Sequence, residues 1–121
     1  MSLVQKKKRV RFTCPLEDQE QIAVVQYLEL KNLKFTAIPN STYTTSWNQK
    51  RKNKDTGLRA GLPDLLIIIK EKLVFIEMKR IKGSSTPQEQ IDWITALNMV
   101  PNVSARICKG SDEAIEFINN F

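Results

Sequence analysis

The apolar positions of the chain concentrate in two runs, residues 64–70 and 73–79, which are apolar at nearly every position. Runs of this length without a helical period predict two strands with both faces covered. The residues between them, Glu71 and Lys72, are expected to form the turn of a β-hairpin. Because covering both faces of a sheet requires helices on its two sides, the predicted fold class is α/β, with a mixed central β-sheet flanked by helices.

Helical spacing and cap residues indicate further elements around the hairpin. Apolar residues recur at helical spacing in the first predicted helix, and Thr86 with Glu89 is typical of a capping box ahead of another. The predicted helices are residues 15–32, 86–98 and 111–120, and the predicted outer strands are residues 34–38 and 103–108. The chain of 121 residues is predicted to be one domain, residues 1–121, with a basic N-terminal arm at about residues 1–12.

The polar stretch of residues 40–60 is predicted to be a long loop between the first strand and the hairpin. A loop of this length within a small domain is usually functional or mobile. It carries Tyr43 and Trp47 beside basic residues, and two alternatives are open for these side chains. They either stack on nucleobases or pack on the edge of the domain, which is the commoner fate of a single tryptophan.

The residue types of the chain exclude several kinds of site. Without histidine, and with only Cys14 and Cys108 as cysteines, a Ser-His-Asp triad is impossible and a structural zinc site is not expected. A bound metal would be held by oxygen atoms, which favours magnesium or manganese. No apolar run is long enough to span a bilayer, and the N-terminus lacks the apolar core of a secretion signal, so an intracellular location is predicted.

The net charge of +6 is concentrated in two basic clusters. The first consists of Lys6, Lys7, Lys8, Arg9 and Arg11, and the second of Lys50, Arg51, Lys52 and Lys54. Such clusters favour a polyanionic partner, most often nucleic acid, although solubility or a disordered tail would explain the first cluster equally well. Three further cations are candidate phosphate contacts or ordinary surface charges: Arg59, Arg80 and Lys82.

Three charged residues stand at the open end of the predicted hairpin, where its apolar pattern breaks. With a turn at Glu71 and Lys72, Asp64 faces Lys79 and lies diagonally across from Glu77 on the same face. The backbones of diagonal neighbours are about 7–8 Å apart, so both carboxylates can reach one cation. A three-residue turn would place the two acids on opposite faces. An alternative without chemistry is a solvated salt-bridge cluster.

These residues resemble the signature of a known nuclease superfamily. Pro63-Asp64, Glu77 and Lys79 are similar to the PD-(D/E)xK motif. More narrowly, "AGLPDLLI", "FIEMKRIKGSSTPQEQIDW" and the glutamate-bearing first helix resemble the VRR-NUC domain, from about Leu16 to Ile118. That domain occurs as small stand-alone phage proteins and as the C-terminal nuclease of larger repair enzymes. A phage-encoded member would act in the cytoplasm of its bacterial host.

The resemblance implies a role for each residue that matches the motif. Asp64 and Glu77 would bind the catalytic cation directly, with the main-chain carbonyl of Met78 as a further ligand. Lys79 would position the attacking water. Two helical residues complete the implied site: Gln88, which would support it, and Glu20, which would reach the metal or its waters, with Glu17 as the alternative.

The activity that the resemblance implies is that of a magnesium- or manganese-dependent endodeoxyribonuclease, which hydrolyses phosphodiester bonds. Like stand-alone members, the protein would be a homodimer that cuts branched DNA, such as four-way (Holliday) junctions, in replication, recombination or repair. Two alternatives are a nuclease for flaps, ends or single strands, and a basic DNA-binding module without catalytic activity. No membrane partner is expected.

Overall fold

The computed structural model describes residues 15–39 and 44–121, so the predicted basic arm and Tyr43 lie outside the described residues. The helices of these ranges are α1 (Glu17–Leu30), α2 (Trp47–Asp55), α3 (Gln88–Asn98) and α4 (Ser111–Asn119). The strands are β1 (Lys34–Ala37), β2 (Leu65–Ile69), β3 (Lys72–Lys79) and β4 (Val103–Lys109). Within the same ranges, no helix is long and apolar enough to cross a membrane.

The four strands form one mixed sheet in the order β1-β2-β3-β4. β1, β2 and β3 are antiparallel neighbours, whereas β3 and β4 run parallel. Parallel neighbours need a crossover connection, and the segment containing α3 supplies it. The predicted α/β class, with a mixed sheet flanked by helices, is therefore confirmed.

The turn of the hairpin lies one residue earlier than predicted, at Lys70 and Glu71. Lys70 adopts a φ of 56°, which a tight turn of this kind requires. Moving a turn by one residue changes each cross-strand partner by two, so every side chain stays on its predicted face. Continued by one residue, the observed pairing places Asp64 beside Glu77 rather than beside Lys79.

The hydrophobic core lies between one face of the sheet and the helices α1 and α4. The strands contribute every second residue to it, because side chains alternate between the faces of a pleated strand. The core includes Leu65, Ile67, Ile69, Val74, Ile76 and Met78 from the hairpin, with Val24, Leu28, Ala114 and Ile118 from the helices. Burial of these side chains fixes α1, and with it Glu17 and Glu20, against the sheet.

The opposite face of the sheet is covered only in part. Phe75 is 8% exposed, but Ile68 and Leu73 are 42% and 39% exposed. α3 lies beside β4, where the side-chain amide of Asn98 exchanges two hydrogen bonds of 2.9 and 2.8 Å with the backbone of Ala105. These bonds satisfy the backbone N–H and C=O groups of Ala105 at the outer edge of the sheet. The prediction that both faces are covered thus holds for one face and for part of the other.

The first turn of α3 differs from the predicted one. The helix begins at Gln88 with Pro87 as its N-cap, and no side chain caps it. The predicted capping box of Thr86 and Glu89 does not form, because the carbonyl of Pro87 accepts the first helical hydrogen bond, from Gln90.

Gly61 allows α3 to lie close to the segment that leads into Asp64. The φ of Gly61 is 106°, and a Cβ atom there would lie 2.7 Å from the carbonyl oxygen of Glu89. Next to this contact, Nε1 of Trp93 donates a 3.1 Å hydrogen bond to the carbonyl oxygen of Ala60. The middle of α3 is therefore fixed against the chain just before Asp64.

A helix, α2, occupies the centre of residues 40–60, so the prediction of a continuous loop is wrong. Ser46 caps α2, because its Oγ accepts a 3.2 Å hydrogen bond from the backbone N–H of Gln49. α2 has at most marginal contact with the other helices and strands of the described chain. Trp47 is the one apolar residue of α2, so no apolar stripe marks it as a helix in the sequence.

The segment that carries α2 leaves and rejoins the sheet at one place. The backbone N–H of Ile38 donates a 2.8 Å hydrogen bond to the carbonyl oxygen of Asp64. This bond continues the pairing of Ala37 with Leu65 by one step. Asp64 therefore lies where the segment returns to the sheet.

Candidate active site

Three carboxylates from three elements meet at one end of the sheet. Glu17 is the first residue of α1, Asp64 directly precedes β2, and Glu77 lies near the end of β3. One oxygen atom of each carboxylate lies within 4.8 Å of the chosen oxygens of the other two. Oxygen atoms at such separations can share one divalent cation, whose ligands lie about 2.0–2.6 Å from it. We call these three residues the acidic cluster.

A backbone hydrogen bond orients Asp64 within the cluster. Its Oδ2 atom accepts a 2.8 Å hydrogen bond from the backbone N–H of Met78. The Met78 side chain is fully buried in the core, so this N–H group has a fixed position. The sheet therefore holds both Asp64 and Glu77, and α1 brings the third carboxylate to them.

Glu77 is 3% exposed, and its two carboxylate oxygens have different surroundings. Oε2 accepts a 3.0 Å hydrogen bond from Nε2 of Gln90 and lies 3.6 Å from Nζ of Lys79. Oε1 is buried and, among the described residues, has no hydrogen-bond partner, and the same is true of Oε1 of Gln90. Buried acceptors without a partner are rare. These oxygen atoms and the three carboxylates are ligands of the kind that a hard divalent cation prefers.

Burial raises the pKa of all three carboxyl groups of the acidic cluster. The pKa of Glu77 reaches about 8, because the charge of Asp64 adds to the effect of burial, while Lys79 opposes it. Without a cation, the cluster therefore holds a proton at neutral pH. A divalent cation would displace this proton and compensate the charge of the carboxylates.

Lys79 places a buried ammonium group beside the acidic cluster. Lys79 is 5% exposed. Because side chains alternate between the faces of a strand, it lies on the same face of β3 as Glu77. The charge of Lys79 lowers the pKa of Asp64 and of Glu77 against the larger effect of burial. An ammonium group in this position can donate hydrogen bonds to a water molecule or to a phosphate oxygen.

The helical acid in the cluster is Glu17, not Glu20. Oε1 of Glu20 accepts a 2.8 Å hydrogen bond from the backbone N–H of Ser111, at the start of α4. Glu20 is 6% exposed, so this bond fixes α1 to α4 inside the protein. Glu20 lies almost a full turn after Glu17 on α1. Its side chain therefore reaches the start of α4 instead of the acidic cluster. Either acid was compatible with the sequence, and the fold separates them.

The glutamine that contacts the cluster is Gln90, not Gln88. Nε2 of Gln88 donates a 2.9 Å hydrogen bond to Asp92 at the exposed surface of α3. Residues two apart on a helix point in nearly opposite directions, so only one of the two can face the sheet. The less exposed residues of α3 are Gln90, Trp93, Ile94 and Leu97, which recur at helical spacing. In the sequence, Gln90 precedes Trp93 by three residues and Ile94 by four, which is the spacing that places it on their face.

The predicted DNA-binding cations lie in three parts of the described chain. Four of them are exposed on α2: Lys50, Arg51, Lys52 and Lys54. Arg59 is exposed beyond α2, and its Nη1 donates to the carbonyl oxygen of Leu58 at 3.1 Å. Arg80 follows Lys79 and has a buried Nε without a hydrogen-bond partner in residues 15–39 and 44–121, while Lys82 is exposed in the next loop.

Comparisons with known proteins identify the family of the chain. A family model for the VRR-NUC domain matches residues 5–112. A search of curated proteins found no match. Among solved structures, one described as "VRR_NUC domain protein" matches with a TM-score of 0.72 and 24% identity, covering 91% of this chain and 90% of the other. The structural likeness shows a shared fold, and the family model spans most of the sequence. The chain therefore belongs to the VRR-NUC family of nuclease domains.

Proposed function

We propose that the protein is a metal-dependent DNA endonuclease that hydrolyses phosphodiester bonds at the acidic cluster. The observation that carries this proposal is the meeting of Glu17, Asp64 and Glu77 beside the buried Lys79 in a VRR-NUC nuclease domain. A structural salt bridge would need neither a third carboxylate nor a buried oxygen of Glu77 without a partner. A cation site accounts for both features.

The proposed metal ligands are the carboxylates of the acidic cluster and the main-chain carbonyl of Met78. Because all of these donors are oxygen atoms, the proposed cation is magnesium or manganese. When bound, it would lower the pKa of a water molecule and compensate the charge that develops on the phosphate. Glu17 takes the role that the sequence resemblance gave to Glu20, since it is the helical acid within reach of Asp64.

The residues around the cluster are proposed to prepare it for attack on the phosphate. Lys79, a pure hydrogen-bond donor, binds a lone pair of the attacking water and so directs it. The water oxygen bonds to phosphorus and releases a proton to solvent, while the ester bond on the opposite side breaks and its leaving oxygen takes up a proton from solvent. Gln90 holds the carboxylate of Glu77, and the N–H of Met78 holds that of Asp64, so both acids are oriented before the substrate arrives.

The proposed substrate is branched DNA, first of all four-way junctions, in replication, recombination or repair. The resemblance to stand-alone VRR-NUC proteins supports this substrate. We also propose a homodimer, because symmetric cleavage of a four-way junction needs two sites related by a two-fold axis. Flaps, ends and single strands are the alternative substrates. The proposed phosphate contacts apply to all of them: Lys50, Arg51, Lys52, Lys54, Arg59, Arg80 and Lys82.

A cleavage assay on four DNA structures tests the proposal. Four-way junction, flap, single-stranded and linear duplex DNA are incubated with magnesium, manganese or EDTA. We expect metal-dependent cutting that falls by about a hundredfold or more in Asp64→Asn and in Glu77→Gln, because each change removes the negative charge of a proposed metal ligand. Glu116→Gln, which replaces an exposed acid on α4, is the matched control and should cut like the wild type. Tight DNA binding without cutting under any condition would refute the nuclease and indicate a DNA-binding module.

A further inference from the structure

Trp47 is exposed where a tryptophan would ordinarily be buried. It is the first residue of α2 and is 78% exposed. The other tryptophan of the chain, Trp93, is half-buried on α3 and donates a hydrogen bond to Ala60. Of the two alternatives open from the sequence, packing on the edge of the domain does not account for Trp47. An indole left in solvent is costly, which suggests that a ligand covers it.

Three cations share the helix face of Trp47. Lys50, Arg51 and Lys54 follow it at the i+3, i+4 and i+7 positions. Together with Asp55, these residues line one surface depression. This spacing usually marks the stripe that packs a helix against its own domain. Here the lining is an aromatic ring with three positive charges and one negative charge, that of Asp55, and it faces solvent. Its net positive charge fits a polyanion, and its ring fits a flat apolar group within that polyanion.

The segment that carries this face begins and ends beside the acidic cluster. The segment with α2 leaves the sheet after Ile38 and returns at Asp64, and these two residues are joined by a 2.8 Å hydrogen bond. Downstream of α2, the bond from Trp93 to Ala60 fixes the returning chain against α3. A nucleic acid strand that crosses the cluster therefore passes the base of the segment that presents Trp47.

We propose that Trp47 stacks on an unpaired nucleobase while Lys50, Arg51 and Lys54 bind the neighbouring phosphates. The face then selects DNA that has unpaired bases beside the cleavage site, such as flaps, forks and opened junctions, over continuous duplex. In a duplex both faces of each base are already stacked, so the indole has no partner there. Every base has a π-face, so this selection does not depend on sequence. The inference rests on the proposed nuclease function for its biological meaning, but it can be tested without catalysis.

Fluorescence anisotropy in EDTA tests the stacking separately from cleavage. Labelled single-stranded, forked and fully duplex DNA of equal length are titrated with wild type, Trp47→Ala and Trp47→Phe. Loss of one base-stacking contact should weaken binding to single-stranded and forked DNA by about tenfold in Trp47→Ala. Affinity for duplex should change by less than about twofold in the same variant. Trp47→Phe retains an aromatic ring and should recover most of the loss, whereas a merely structural role would not separate the three DNA forms.

Salt dependence tests the cations on the same face. The triple variant Lys50→Ala, Arg51→Ala and Lys54→Ala should reduce the slope of log affinity against log salt by about 2 for single strands, because three phosphate contacts are lost. Lys72→Ala removes an exposed cation at the opposite end of the hairpin and is the matched control for one charge. A triple variant with the wild-type slope would overturn the role of these three residues.

Failure of the stacking proposal and failure of the nuclease proposal would give different experimental results. Equal weakening of all three DNA forms by Trp47→Ala, or no weakening of any, would overturn the stacking proposal even if the wild type cuts DNA with magnesium. A protein that cuts no DNA, but loses single-strand affinity when Trp47 is replaced, would refute the nuclease and uphold stacking. Quenching of tryptophan fluorescence by single-stranded DNA should also be largely lost in Trp47→Phe, although Trp93 remains.

Discussion

In the metal-free protein, Glu77 gains a proton on folding, because burial and the charge of Asp64 raise its pKa from 4.5 to about 8. Between these two pH values, the folded state binds more protons than the unfolded state. The free energy of unfolding therefore contains a contribution that is fully present below pH 4.5 and is lost as the pH rises through 8. Glu77→Gln removes the titrating group and keeps a side chain of nearly the same shape.

The size of this contribution follows from the two pKa values. Each pH unit between them is worth about 1.4 kcal/mol, so the whole effect is about 5 kcal/mol. About 3 kcal/mol of it is lost between pH 5 and pH 8, since part of the titration lies outside that range. The stability of Glu77→Gln relative to wild type should therefore increase by about 3 kcal/mol over this interval.

Urea unfolding in EDTA at pH 5, 6, 7 and 8 measures the effect. The matched control is Glu116→Gln, which also removes one acid but from the exposed surface of α4. We expect the control to follow the pH dependence of the wild type and Glu77→Gln to lack the loss of about 3 kcal/mol. Equal pH dependence in wild type and Glu77→Gln would refute the reasoning that the cluster holds a proton on Glu77.

Three other features of the structure predict measurable effects. Glu17→Gln should weaken manganese binding in calorimetry. Glu20→Met should leave manganese binding nearly unchanged and lower the free energy of unfolding by about 1–3 kcal/mol, because the backbone N–H of Ser111 loses its acceptor. Gln90→Ala should slow single-turnover cleavage by about 10- to 100-fold, because the carboxylate of its partner loses its orientation. Gly61→Ala should destabilise the fold more than Gly57→Ala in urea unfolding. Both have positive φ, but only at Gly61 would the new methyl group meet backbone, at 2.7 Å. Equal effects within the Glu17/Glu20 pair or the Gly61/Gly57 pair, or an unchanged cleavage rate in Gln90→Ala, would contradict the corresponding assignment.

The shared face of Asp64 and Glu77 was predicted from a two-residue turn, and the structure has a turn of that length. An even change of register preserves the face of every side chain, so the shift of the turn by one residue does not affect this prediction. The exact turn is not determined, because neither Lys70-Glu71 nor Glu71-Lys72 contains the glycine or asparagine that fixes a two-residue turn. Asp64 and Glu77 were therefore expected to share a face, but not to stand directly beside each other.

The parts that the sequence left open depend on contacts between distant segments. Glu17 and Glu20 both lie in the first turn of α1, and the choice between them depends on how α1 packs against the sheet and α4. α2 has no apolar stripe, so its helical state rests on the Ser46 cap and on residues with good helix propensity. For Gln90 the sequence held a signal, since its spacing of three and four residues to Trp93 and Ile94 places it on their face of the helix.

The hydrogen bond between Ile38 and Asp64 separates the position of the acidic cluster from the segment that carries α2. The pairing of β1 with β2 extends to Asp64, so the sheet holds its backbone independently of residues 44–57. With the proposed roles, exchange of those residues for another segment would change the DNA that is bound and leave the acidic cluster in place. In this fold, new specificities can therefore arise by replacement of the segment that carries α2, while the acidic cluster stays unchanged.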